Sequence, residues 1–122
     1  MYAYGIIHLI ISGKKMHRGH LFSMALGIVT PWEVREVNFK VSGSKKALHI
    51  HIDFAVGSKF PDQSGSLCDV HDTKQKTWRH LNFFEHACYL HCRVPRIKTS
   101  DNKVQLVEVP WSRAESGFTL LS

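Results

Sequence analysis

Histidine and cysteine are the residues of this chain most suited to chemistry. The sequence holds nine histidines and three cysteines, and His49 and His51 stand two positions apart. On a strand, residues i and i+2 share a face, so these two imidazoles could bind a metal ion, with Asp53 as the one visible candidate for a third ligand. Exposed histidines on a strand face are the commoner outcome. We therefore predict no metal ion and no other cofactor.

The cysteines do not form a metal-binding pattern either. A structural zinc site needs four nitrogen or sulfur ligands, usually presented in pairs by CxxC turns, and the sequence has no CxxC. The nearest pairs are Cys68 with His71 and Cys88 with Cys92. Four residues along a predicted strand span roughly 13 Å, too far for Cys88 and Cys92 to share one tetrahedral ion. We predict buried thiols that act as small hydrophobic groups and, given their odd number, reduced thiols in a cytoplasmic protein.

Catalytic patterns are weak in this sequence. A cysteine near a histidine indicates nucleophilic catalysis only with a matching family signature, which is missing here. The aspartates between residues 53 and 72 are scattered over a strand and turns instead of being clustered for metal-assisted phosphoryl transfer. No glycine-rich phosphate loop occurs. The sequence therefore favours a binding or structural domain, without a small-molecule substrate, over an enzyme.

Positive charge is concentrated in the second half of the chain. The 122 residues suffice for one domain with a modest core, and their formal net charge is +6. Residues 74–113 carry eight basic and three acidic side chains. An uneven basic excess of this kind is typical of a surface that binds a polyanion, although many basic proteins bind nothing specific.

The apolar run Tyr2–Ser12 predicts neither a membrane span nor a secretion signal. It is too short to cross a bilayer. A secretion signal carries its positive charges before the apolar run, whereas Lys14, Lys15 and Arg18 follow it. We expect no membrane association.

Alternating apolar and polar residues predict five or six short strands in hairpins, with little helix. Residues 37–41 form one strand, with a bulge near Arg35–Glu36 because Val34 is out of step. A turn at 42–44 leads into the clearest strand, 48–54, whose even-numbered residues are apolar. These two strands predict a hairpin.

The central stretch, Lys76–Arg96, predicts a further strand with one buried face. Cys88, Leu90, Cys92 and Val94 alternate with polar or aromatic neighbours and Pro95. The large apolar groups that such a face needs are Trp78, Leu81, Phe83 and Phe84.

Turns and short elements are predicted around this stretch. Residues 57–65 form a loop, a short strand at 70–72 runs into a polar turn at 72–75, and residues 98–103 form another turn. A last strand covers Val104–Val109 and ends at Pro110–Trp111.

Basic residues in and beside the central stretch could bind nucleic acid. Arg79, Arg93 and Arg96 fall outside the apolar set and are expected to share the solvent-exposed face of the sheet, where cations contact phosphates and flat rings such as Tyr89 can stack on bases. Arg79 or Arg96 would be the base readers, because arginine can bond guanine bidentately. An ordinary solvated strand face is the alternative. The candidate DNA-binding residues are Lys74, Lys76, Arg79, Arg93, Arg96 and Lys98.

Two runs resemble a known family. VHDTKQKTWRHLNFFEHACYLHCRVPR, Val70–Arg96, and EVPWSRAESGFTLL, Glu108–Leu121, resemble the N-terminal domain of bacterial insertion-sequence transposases of the ISL-three type. Members typically read VxDxxxRxWRHLxFFxxxxYLxxRVPR and then EVPWARxxSGFT. PWEV at Pro31–Val34 and LHIHIDF at Leu48–Phe54 fit the same pattern, so the resemblance covers about residues 20–121.

The resemblance implies a mainly β, hairpin-rich, zinc-ribbon-like domain in the DNA-binding half of a transposase. The family places CxxC knuckles where this chain has Pro61–Gly65 and Thr99–Lys103, neither of which contains cysteine. The expected domain therefore lacks the zinc ligands and is held by its hydrophobic core. It spans residues 24–111, after a flexible N-terminal segment 1–23 and before a tail 112–122.

The resemblance also implies what the chain does. The catalytic part of these transposases follows the region matched here, so we expect a truncated, non-catalytic DNA-binding module whose partners are the DNA of element ends and full-length transposase. Two alternatives remain open. One is a protein-interaction fragment that pairs with full-length transposase through an exposed Trp111 and Phe118, and the other is a non-functional relic.

Overall fold

One open sheet of seven strands makes up most of the chain described by the computed structural model, which covers residues 26–83, 86–112 and 118–121. The predicted N-terminal segment 1–23 lies outside these residues. A mainly β fold is confirmed. The strands are β1 (Trp32–Ser42), β2 (Lys45–Phe54), β3 (Lys59–Pro61), β4 (Leu67–Phe83), β5 (His86–Lys98), β6 (Val104–Leu106) and β7 (Phe118–Leu120), and a 3-10 helix (Pro110–Ser112) precedes β7.

The strand order is β1-β2-β5-β4-β3, with β6 paired to β5 and β7 paired to β4. Neighbouring strands run antiparallel except β2 and β5, which run parallel over Ala47–Ile52 and Ala87–Cys92. The sequence did not predict this pairing. Alternation shows which residues of a strand share a face, but it does not identify a distant partner strand. The parallel pair brings the histidines of the two strands together.

The predicted hairpin between residues 37–41 and 48–54 is confirmed as β1–β2. The register shifts between Val34 and Glu36, which is the bulge that the sequence predicted. The turn consists of Gly43 and Ser44, and Gly43 has a φ of 63°. A positive φ at the first central position of a two-residue hairpin turn favours glycine.

The predicted polar turn at residues 72–75 is wrong, because β4 runs unbroken from Leu67 to Phe83. Residues 72–75 pair with residues 93–96 of β5, and the register of this pairing shifts at a bulge between Val70 and Asp72. Strand propensity depends on cross-strand partners, so polar residues with such partners remain in a strand.

The C-terminal elements also differ from the prediction. The last predicted strand, Val104–Val109, is shorter, since β6 ends at Leu106. The predicted tail contains β7, which pairs with Trp78, Arg79 and the backbone of residue 80 in β4.

The core lies on one face of the sheet. The even-numbered apolar residues of β2 and β5 are buried as predicted, and Leu90 is fully buried between Ile50 and Trp78, its partners in the neighbouring strands. Trp111 packs edge-on against Trp32 and Trp78 with ring centroids 5.2 and 5.5 Å apart. The expectation of an exposed Trp111 is therefore wrong, since only 3% of it is accessible. The side chains of Leu81, Phe83, Phe84 and Phe118 lie outside the described part of the chain.

A buried carboxylate joins two predicted turns. Asp62 Oδ1 accepts hydrogen bonds from the Ser64 N–H at 2.9 Å, the Ser64 hydroxyl at 2.6 Å and the Ser66 N–H at 3.1 Å. Its Oδ2 accepts a bond from the Ser100 N–H in the 98–103 turn at 3.0 Å. These bonds, above all the one from the Ser64 hydroxyl, hold the pKa of Asp62 well below its usual range. The two turns that the resemblance identified as knuckle positions thus meet at a carboxylate.

Replacing Asp62 by Asn is expected to lower the melting temperature at pH 7 by several degrees. An amide with its oxygen toward Ser64 and Ser66 turns its NH2 toward the Ser100 N–H, so the link between the turns is lost. Asp69→Asn is the matched control, because Asp69 is exposed and its ion pair with Lys59 contributes little. Calorimetry of the three proteins tests this, and equal melting temperatures for both variants would contradict it.

Candidate nucleic-acid interface

The predicted DNA-binding cations lie on both faces of the sheet. Lys74 and Lys76 pair with buried residues of β5 and therefore share the core face with Trp78, because directly paired residues project to the same side. Arg79 and Arg93 project from the opposite face. The expectation of a shared solvent-exposed face concerned the three arginines and is wrong for Arg96, which pairs with Asp72 in the same alternating series as Lys74 and Lys76. No face was predicted for the two lysines, although the period-two series Lys74, Lys76, Trp78 could have shown it.

Two of the predicted arginines are bound by carboxylates. Arg93 Nη2 donates hydrogen bonds to both carboxylate oxygens of Asp53, each at 3.0 Å. Arg96 Nε donates to Asp72 Oδ1 at 2.6 Å while its Nη2 donates to Oδ2, and this fork lowers the pKa of Asp72 and raises that of Arg96. Lys98 is exposed near the end of β5. Because their charge is balanced locally, Arg93 and Arg96 attract phosphate less than sequence reasoning assumed.

A basic hollow forms where the β1–β2 turn meets β4 and β5. Its volume is about 620 Å³, and none of the described residues that line it is acidic. The Arg79 guanidinium lies 5.3 Å from the centre of the Tyr89 ring, within the range of a cation–π contact. Sequence reasoning missed Lys45 and Lys46, although they directly follow the predicted turn. The hollow is lined by Ser44, Lys45, Lys46, Arg79, His86, Ala87 and Tyr89.

Next to the hollow, four rings form a continuous row on the face opposite the core. Tyr89 stacks on His49 at 5.0 Å and His91 on His51 at 4.8 Å, with interplanar angles of 15° and 19°. His49 and His91 lie nearly coplanar, at 9°, and meet edge to edge with their centroids 5.1 Å apart. Arg79 covers the outer side of Tyr89, so the row continues into the basic hollow. We call Tyr89, His49, His91 and His51 the ring stack. Its histidines come from β2 and β5, which the parallel pairing places side by side.

Hydrogen bonds occupy both ring nitrogens of His91. His91 Nε2 lies 2.9 Å from His49 Nδ1, and His91 Nδ1 lies 3.0 Å from the Thr77 hydroxyl on β4. A neutral imidazole carries one donor and one acceptor. The hydrogen bonds from Thr77 through His91 to His49 can therefore all be donated in one direction or all in the other, and both nitrogens of His91 are satisfied in either case. The chain Thr77–His91–His49 fixes the orientation of the central rings.

The surroundings of the stack oppose protonation. Burial lowers the pKa of His91 to about 4, with further contributions from His51, His49 and Lys40. Burial also lowers the pKa of His49, helped by Lys40 and His51. At neutral pH the central rings are therefore uncharged, and the positive charge of this face comes from Arg79, Lys40 and Lys45.

Acid is expected to destabilise the fold through His91. Its folded pKa of about 4 lies below the ordinary histidine pKa of 6.5. The unfolded state therefore binds more protons between these two values, and stability falls as the pH drops through that window. Solvent screens the partly exposed ring, so we expect a loss of about 1 to 2 kcal/mol between pH 7 and pH 4. His91→Gln should reduce this loss, whereas His71→Gln, which removes an exposed histidine, should not. Urea unfolding of the three proteins at pH 7, 6, 5 and 4 measures the effect, and an unchanged pH dependence in His91→Gln would contradict it.

The geometry does not fit a metal centre. Both ring nitrogens of His91 are already hydrogen-bonded, one to His49 and the other to the Thr77 hydroxyl. Asp53, the possible third ligand of the sequence analysis, bonds to Arg93 instead. Within the described ranges no group of three or more His, Cys, Asp or Glu side chains is arranged to hold a metal ion.

The thiols match their predicted role in part. Cys88 and Cys92 are free and buried, and burial raises the pKa of each to about 12, so both stay protonated as small hydrophobic groups. Cys68 is also free but partly accessible, which corrects the prediction for that residue.

Comparisons with family models, curated proteins and solved structures find no match to this chain. The resemblance to insertion-sequence transposases therefore rests on the sequence motifs alone. In the part of the chain that the structure describes, no helix is long and apolar enough to span a membrane.

Proposed function

We propose that this chain is a DNA-binding module of the kind that the resembled transposases carry ahead of their catalytic part, and that the module itself neither cuts nor joins DNA. The observation that carries the proposal is the basic hollow. Lys45, Lys46 and Arg79 surround it, and among the described residues no carboxylate lines it. A cluster of cations next to flat rings suits phosphate contact and base stacking.

The interface of this proposal differs from the patch predicted from sequence. It consists of the hollow and the adjoining ring stack, and Arg79 is the one predicted residue at its centre. Lys74, Lys76, Arg93, Arg96 and Lys98 contribute to the general positive field instead. The net charge of +6 supports attraction of a polyanion over a distance.

A titration of the purified full chain against labelled duplex DNA tests the proposal. One duplex carries the end sequence of a related insertion element and the other a scrambled sequence, each at two salt concentrations. Tighter binding to the end sequence would support a recognition module. With about four phosphates neutralised, log affinity should fall with log salt at a slope near −3.6. Failure of the folded protein to bind either duplex at low salt would refute the proposal.

A groove on the core side favours a second candidate function, pairing with full-length transposase. The groove has a volume of about 300 Å³, and Trp78, Val94 and Val109 contribute to its lining. Leu106 and Leu120 also line it and are 37% and 48% exposed. Co-purification of the tagged chain with an intact homologue, and loss of the complex in Leu106→Glu, would support this candidate. Absence of a mixed complex at micromolar concentration would exclude it.

A further inference from the structure

The hydrogen-bonded pair His49–His91 can carry one extra proton without losing a bond. In the protonated form His91 donates from Nε2 to His49 Nδ1 and from Nδ1 to the Thr77 hydroxyl oxygen. His49 then carries its own hydrogen on Nε2. The added proton comes from solvent, and no covalent bond other than N–H changes.

The charges around the stack decide whether this proton is retained. The described groups that face it are Glu33, Glu36 and Lys40 from β1, His51 and Asp53 from β2, Arg79 from β4, and Tyr89 and Arg93 from β5. Glu33 lies opposite Asp53 and is paired with Arg35.

Most of these groups do not stabilise an imidazolium at the centre of the stack. Asp53 is already paired with Arg93. Glu36 is exposed and stands opposite His51 in the register, at the edge of the row. Lys40 adds positive charge nearby. The site therefore has the hydrogen bonds for a cation but lacks a counter-ion for it.

We propose that phosphate groups bound on this face supply the missing counter-ion, so that binding is coupled to uptake of one proton by the His49–His91 pair. This inference rests on the proposed function, because it assigns the phosphates of nucleic acid to the same face. Coupling is reciprocal: if phosphate favours the protonated pair, acidification favours phosphate binding. The face then binds phosphate weakly when the His49–His91 pair is neutral and more tightly when the pair is protonated.

The coupling predicts a specific dependence of affinity on pH. Uptake of one proton strengthens binding by up to about tenfold per pH unit. We expect the affinity for a duplex to rise from pH 7.5 to pH 5.5 in the wild-type chain, and this rise to be largely lost in His91→Gln. The control His71→Gln removes a histidine outside the stack and should keep the rise.

A second readout separates the coupling from DNA binding. The pKa values of the individual imidazoles are measured by NMR in the absence and presence of inorganic pyrophosphate. We expect pyrophosphate to raise the pKa of His91 in the wild-type chain and to leave that of His71 almost unchanged.

The outcomes distinguish the two proposals. A His91 pKa that pyrophosphate does not move, or an equal pH dependence of DNA binding in wild type and His91→Gln, would overturn the coupling even if DNA binds. A raised His91 pKa together with no duplex binding between pH 5.5 and 7.5 would support the phosphate site and refute the DNA-binding function. Dispersed amide signals in each spectrum establish that the variants are folded.

Discussion

Replacing Lys45, Lys46 and Arg79 together by glutamine is expected to weaken duplex binding about 10- to 100-fold at 100 mM salt. The three cations line one hollow, and no acidic side chain among the described residues lines it with them. Each phosphate contact releases condensed counter-ions, so loss of three contacts should also reduce the salt slope by about 2.7. Binding isotherms at four salt concentrations give both quantities.

A triple variant elsewhere on the surface provides the matched control. Lys74, Lys98 and Lys103 are exposed, and their replacement by glutamine removes the same formal charge from a chain of net charge +6. If the hollow is the contact surface, this control loses only the weak, long-range part of the attraction. A larger loss in the control than in the hollow variant would instead support the patch predicted from sequence.

Local patterns in the sequence anticipated the hairpin but not the site. Alternation over residues 48–54 identified a buried face. Val34 is out of step with the alternation of residues 37–41, and this located the bulge. Both features depend on neighbours in the chain. The ring stack depends on the parallel pairing of β2 with β5, whose histidines lie about 40 residues apart in sequence. Nothing in the spacing of His49 and His51 identifies His91 as their neighbour, so the third ring was missed.

The side of the sheet on which Lys74 and Lys76 lie was not predicted, for a different reason. A long lysine can project from the core face and keep its amine in water, so its charge alone does not show which face it occupies. Lys76 shows this, since it lines the apolar groove beside Trp78. Carboxylate partners could not be predicted either: Asp72 was placed in a turn, and only the continuous β4 brings it opposite Arg96.

Replacing Leu90 by Ala is expected to destabilise the fold by about 2 to 5 kcal/mol. Leu90 is fully buried on the central strand β5, between Ile50 of β2 and Trp78 of β4. The change removes buried apolar surface and leaves a cavity that strands paired on both sides can close only in part. Small domains have a stability of about 5 to 15 kcal/mol, so this is a large fraction of the total.

Urea unfolding measures the effect of Leu90→Ala, and Leu67→Ala is the control with the same chemistry. Leu67 is 67% exposed on β4, so its truncation should change stability by less than about 0.5 kcal/mol. Leu90 lies between Tyr89 and His91, and loosening its packing should also disturb the ring stack. We therefore expect Leu90→Ala to lose duplex affinity at urea concentrations where Leu67→Ala still binds. Equal unfolding midpoints for the two variants would mean that β5 is not the centre of the core, and the placement of the histidines on its other face would lose its support.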